Sequence, residues 1–122
     1  MKRNILCVGD LHSPFDLDAY LQFNTSLYKK YKCTDLVFIG DVLDGHAWSY
    51  HESDPDGRSV GDELSEAVKR LKRYYTAFPK TTITLGNHDL LIMRKAYSAG
   101  LSYRFIKDFG DIIEAPSFLE VC

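Results

Sequence analysis

Three short apolar runs in this chain end in the same way, and that repetition limits the possible folds more than any other feature. Asn4 to Val8 runs into Gly9-Asp10, Asp35 to Ile39 into Gly40-Asp41, and Thr81 to Leu85 into Gly86-Asn87. Runs of this length, rich in Ile, Leu, Val, Phe and Thr, read as strands buried on both faces of a sheet flanked by helices. The intervening segments have helical spacing. Leu17 to Tyr31 repeats its apolar residues at that period, and Asp62 to Phe78 puts Leu64, Ala67, Val68, Leu71, Tyr75 and Phe78 on one stripe. Asp62 and Glu63 stand where the helix dipole favours negative charge, and Lys69, Arg70, Lys72 and Arg73 form a solvated face rather than a nucleic-acid patch. A third helix is expected from Asp89 through Tyr97, stopping near Gly100. In the tail, Ile112-Ile113 and Phe118 to Val121 read as strand candidates. The alternation of strands and helices predicts an α/β fold with a parallel sheet and right-handed crossovers.

In an open parallel sheet the carboxyl ends of the strands share one edge, and ligands bind there. Such a sheet would gather Asp10 and His12, Asp41 and Asp44, and Asn87, His88 and Asp89 from distant parts of the chain. Carboxylate, imidazole and amide oxygen are the donors that hard and borderline divalent cations take, and the absence of a thiolate argues against a structural zinc site. One Gly-Asp after a strand is ordinarily a turn, and one His-Asp pair is ordinarily a capping or surface feature. Three such pieces at three consecutive strand ends read as a site.

Composition sets the remaining bounds. At 122 residues the chain is one domain, 1–122, and its 45% hydrophobic and 26% charged residues are ordinary for a globular protein. A net charge of −2 gives no general attraction to nucleic acid or anionic membrane. Ile5 to Val8 is too short for a signal-peptide core or a membrane span, so a cytoplasmic protein without membrane contact is expected. The three cysteines are odd in number and lack a CxxC pair, which predicts free structural thiols, with Cys7 acting as a small hydrophobe in the first run.

Taken together, Gly9-Asp10-Leu11-His12, Gly40-Asp41-Val42-Leu43-Asp44-Gly45 and Gly86-Asn87-His88-Asp89 resemble the first three motifs of the calcineurin-like metallophosphoesterases, in the same order, over about residues 5 to 89. The resemblance implies half of a metallophosphoesterase α/β sandwich that hydrolyses phosphate mono- or diesters with two divalent metal ions, manganese first, with iron or zinc as alternatives. It implies that Asp10 and His12 bind one ion, that Asp41 bridges both, and that Asn87 binds the second. His88 would protonate the leaving oxygen, with Asp44 holding its imidazole. Protein, nucleotide and nucleic-acid substrates are not separated by these motifs, and neither is the oligomeric state.

The same family carries further histidines, one alone and then a Gly-His-x-His pair, whereas no histidine follows His88 here. Together with an end inside the apolar run Leu119 to Cys122, this predicts a domain incomplete at its C-terminus that by itself holds no stable pair of ions, the second binding weakly, and has little or no phosphoesterase activity. The alternative is an inactive fragment, or a metallophosphoesterase-like binding or scaffold protein. His46, Trp48 and His51, in the loop from Gly45 to Gly57, are not needed by the metal site. The two histidines are candidate phosphate contacts or substitute metal ligands, and Trp48 a candidate stacking surface. Asp54-Pro55-Asp56-Gly57 reads as that loop's turn.

Overall fold

The computed structural model describes residues 2–122. Four parallel strands, β1 (Ile5–Val8), β2 (Asp35–Ile39), β3 (Thr81–Thr84) and β4 (Glu120–Val121), lie side by side in the order in which they occur in the chain. The register pairs Leu6 with Leu36, Val8 with Phe38 and Phe38 with Ile83, which puts these side chains on one face. The helices are α1 (Tyr20–Lys30), α2 (Val60–Ala77), α3 (Leu91–Ser98) and α4 (Phe109–Ile112). Ile112 therefore ends a helix rather than belonging to a strand, while the Phe118 to Val121 run does supply the last strand.

The longest helix, α2, is the centre of the core. Ser59 caps it by accepting from the Asp62 amide at 3.1 Å, and the chain leaves it at Phe78, where the following Pro79 disfavours helical geometry. Its stripe of Ala67, Leu71, Tyr74 and Tyr75 is buried against Leu36, Phe38 and Ile83 of the sheet. Removing each large side chain of this set from water contributes about 1.5–3 kcal/mol. Tyr74 packs edge-on to Phe38 with ring centroids 5.4 Å apart, and Phe78 meets Tyr28 of α1 at 5.0 Å. Gly100, at φ +74°, follows α3 in the left-handed conformation that a residue with a Cβ adopts at a cost.

Only one face of the sheet is covered. A spatial order that follows chain order, with crossovers of one hand, sends successive helices to the same side. The opposite face leaves Ile5 49% and Ile39 56% exposed, and Cys7 is exposed with them. The expectation of burial on both faces, and of Cys7 as a core hydrophobe, is corrected accordingly; all three cysteines are free.

The basic cluster of α2 is not simply solvated. Arg70 holds both carboxylate oxygens of Asp16 at 2.9 and 3.0 Å, the Asp16 carbonyl at 2.7 Å and Asp18 at 2.8 Å. These bonds tie the segment following His12 onto the helix. No helix among the described residues is long and apolar enough to cross a membrane.

Candidate metal centre

Beyond the ends of β1 and β2 the two outgoing loops continue to pair. His12 N donates to the Asp41 carbonyl at 2.9 Å, Ser13 N to the Val42 carbonyl at 2.8 Å, and Asp44 N to the Ser13 carbonyl at 3.0 Å. Ser13, fully buried, also donates its hydroxyl to the Ala67 carbonyl of α2. The loops are thus set relative to each other by main-chain bonds before any side chain is considered. Within this frame Asp10, His12 and Asp41 have φ of 50°, 52° and 55°. Left-handed backbone costs a residue with a side chain about 1–2 kcal/mol, and such outliers concentrate at functional sites.

The loop after β3 is locked to the same frame by Asp89. Its carboxylate is buried and accepts from the amides of Leu43 and Gly86 at 2.9 Å each and of Val42 at 3.3 Å. Burial raises its pKa above the ordinary carboxylate value, and the three N–H bonds oppose that shift. Gly86 has a separate reason to be glycine. A Cβ there would come within 2.5 Å of the Asp41 amide nitrogen and would strike the Asp41 carboxylate.

This framework brings ligand atoms of His12, Asp41 and His88 within 4.8 Å of one another. The rings of the two histidines meet edge to face, with centroids 4.6 Å apart. Asp41 Oδ1 accepts from the His88 amide at 2.8 Å, while its Oδ2 lies 3.9 Å from His12 Nε2. Asp10 Oδ1 lies 4.0 Å from the same nitrogen.

Asp44 serves both histidines through different atoms. Its carboxylate bonds His12 Nδ1 at 2.8 Å, and its main-chain carbonyl accepts from His88 Nδ1 at 2.5 Å. Asp44 therefore does hold the His88 imidazole, but through its main-chain carbonyl, while its carboxylate serves His12. Since a carbonyl can only accept, the His88 Nδ1 carries hydrogen and its Nε2 is left for chemistry. Likewise the carboxylate at His12 Nδ1 leaves His12 Nε2 facing Asp41 and Asp10.

These donors fit a divalent cation. The Nε2 lone pair of a neutral imidazole and carboxylate oxygens 3.9–4.0 Å away are all acceptors and cannot bond one another, but a shared ion with ligand bonds of about 2.0–2.2 Å spans such gaps. A carboxylate behind a ligating histidine, as Asp44 stands behind His12, fixes its tautomer and raises its basicity.

The remaining candidates lie around this cluster. Asn87 is exposed beside His88, on the wall of a cavity of about 300 Å³ that also includes His51, Tyr50 and Arg94. His46 lies on a different cavity with Asp44, Phe15 and Glu63, and its Nε2 accepts from the Asp54 amide at 3.4 Å. Among the described residues neither His46 nor His51 joins the group of His12, Asp41 and His88. Trp48 turns inward against the core with its Nε1 buried and unpartnered, so it is not the stacking surface expected. Asp54 to Gly57 does form the turn, closed by Gly57 N donating to the Asp54 carbonyl at 2.9 Å.

Two contributors, Ser13 and Arg70, were not singled out from sequence as parts of the site, nor was the part played by a third legible there. Asp89 was visible as the last residue of Gly86-Asn-His-Asp89, but its role as a clamp on three amides was not. Ser13 and Arg70 carry no local signal, because their partners are 54 residues away. Searches of curated proteins and of solved structures gave no match. The profile of the family described as calcineurin-like phosphoesterase matches residues 3–120, a span that takes in both the clamped loops and the His/Asp cluster, and the chain belongs to that family.

Proposed function

We propose that the chain is a metal-dependent hydrolase of phosphate mono- or diesters working through two divalent ions, manganese before iron or zinc. The observation that carries this reading is the convergence of His12, Asp41 and His88 at the carboxyl edge of the sheet. His12 Nε2, Asp41 and Asp10 would hold one ion, and Asp41 with Asn87 the other. Bound divalent ions supply Lewis-acid polarisation of the phosphoryl group and activation of water near neutral pH.

The chain's own residues do the rest. Asp44 holds His12 with Nε2 pointed at the carboxylates. Asp41, one oxygen committed to the His88 amide, keeps the second loop and the third at a fixed spacing. His88 is anchored through Nδ1, so the proton it can exchange is on Nε2, and its proposed task is to deliver that proton to the leaving oxygen.

His88→Ala tests this division of labour. Hydrolysis of an ester with a poor leaving group should fall about 10²–10⁴-fold, and of a p-nitrophenyl ester much less, because p-nitrophenolate leaves without a proton. Equal losses on both esters, accompanied by loss of bound metal, would make His88 a ligand instead.

A further inference from the structure

We propose that the groove leading away from His88 seats single-stranded nucleic acid, so that the ester cleaved is a phosphodiester or terminal phosphate of an oligonucleotide. This rests on the phosphoesterase reading and names its substrate class. Two cavities carry the argument. The cavity of about 300 Å³ beside His88 and Asn87 and a neighbouring one of about 430 Å³ share Tyr50 and Arg94 as walls. The two lie on either side of the Tyr50–Arg94 pair, one beside His88 and Asn87 and the other beside Tyr97 and Tyr103.

The segment that supplies much of that groove is basic. From Leu90 to Lys107 there are four basic residues, Arg94, Lys95, Arg104 and Lys107, and no acidic one, although the chain as a whole has net charge −2. Arg94 lines both cavities and Lys95 lies over the Tyr50 ring, while Lys107 lines a separate cavity. Interleaved with them, Tyr97 is 75%, Tyr103 56% and Tyr50 51% exposed. Tyr50 is held in place by its hydroxyl bond with Ser98 Oγ and by cations on its ring, Lys95 Nζ at 4.2 Å and Arg94 Cζ at 5.0 Å from the centroid. Exposed aromatic faces alternating with cations are what a single strand needs: the rings stack on bases without regard to sequence, and the cations attract the backbone. A phosphopeptide would instead call for a cluster of arginines converging on one phosphate. The groove has one arginine wall and, besides the cation-covered Tyr50, two exposed rings in Tyr97 and Tyr103, which favours stacking.

Binding can be separated from catalysis by working with the metal-free chain in EDTA. Fluorescence anisotropy would follow a labelled oligothymidylate of about 12 nucleotides. The expected result is that Tyr97→Ala/Tyr103→Ala weakens binding by about tenfold or more, while Tyr97→Phe/Tyr103→Phe, which keeps the rings, stays within about twofold. Arg94→Ala should weaken binding and lower the slope of log affinity against log salt by about one. Wild-type affinity in the double alanine variant would overturn the proposal, as would tighter binding of a tyrosine-phosphorylated peptide than of the oligonucleotide. Hydrolysis of a small p-nitrophenyl diester is the separate readout for the phosphoesterase reading. Oligonucleotide binding that depends on the tyrosines, in a chain that cleaves no ester, would support the groove and sink the chemistry.

Discussion

The Asp44 carboxylate lies 2.8 Å from His12 Nδ1, which makes a residue of the second loop the orienting partner of a candidate ligand in the first. Because Asp44 reaches His88 only through its main-chain carbonyl, the two histidines respond differently to substitution at this position.

Asp44→Ala should lower the affinity for Mn²⁺ by about 10–100-fold through loss of the group that holds His12. The carbonyl is untouched, so His88 stays anchored. Asp44→Asn, which keeps an oxygen acceptor for His12 Nδ1–H, should recover part of the loss. Equilibrium dialysis of the three proteins against Mn²⁺ checks the order.

Gly86→Ala should damage the centre without altering any ligand. The added methyl group must displace Asp41, and a backbone neighbour cannot yield as a flexible side chain would. A loss of about 1–3 kcal/mol is expected, together with weaker metal binding. Urea unfolding gives the first quantity and the same dialysis the second.

Asp89→Asn removes a buried charge that gathers three amides of two loops. An amide side chain has only one oxygen to offer them and brings two donors of its own. Destabilisation of about 2–4 kcal/mol is expected, since hydrogen bonds to charged groups are worth about 1.5–3 kcal/mol each and an orphaned buried donor costs more. Denaturant midpoints for the variant and the wild type measure it.

At low pH the sheet should weaken through Asp35. Its carboxylate is bonded by Arg3 and Thr34, with Lys80 nearby, and these partners hold its pKa well below the usual carboxylate range. A depressed folded-state value means stability that is fully present above the unfolded pKa of about 3.9 and is lost as pH falls toward the folded value. Thermal melts of wild type and Asp35→Asn should therefore differ at neutral pH and converge below about pH 4. A gap that persists unchanged into acid would remove Asp35 from this role.

Much of the centre was legible because strand ends speak locally. A short apolar run, a glycine and a polar residue identify both the element and the edge on which its end lies, and three repeats locate a site. The details that sequence missed depend on pairs far apart in the chain. Nothing near Asp44 says which of its atoms meets which histidine, and nothing near Arg70 announces Asp16. Burial was misjudged at Cys7 and Ile39 because an apolar run looks the same whether one face of the sheet is covered or both. Trp48 was misplaced because nothing in the loop's composition announces the short helical turn from His46 to Trp48 or its packing against the core.

The central claim is that the cluster around Asp41 binds the ion that drives phosphate-ester hydrolysis. Titration of Mn²⁺ into the metal-free chain, with hydrolysis of bis-p-nitrophenyl phosphate followed at each addition, tests it most directly. The prediction is slow turnover that rises with Mn²⁺ and saturates only at high concentration in the wild type, and that is lost in Asp41→Ala, the proposed shared ligand. No turnover from the wild type at any Mn²⁺ concentration, or equal turnover from Asp41→Ala, would contradict it.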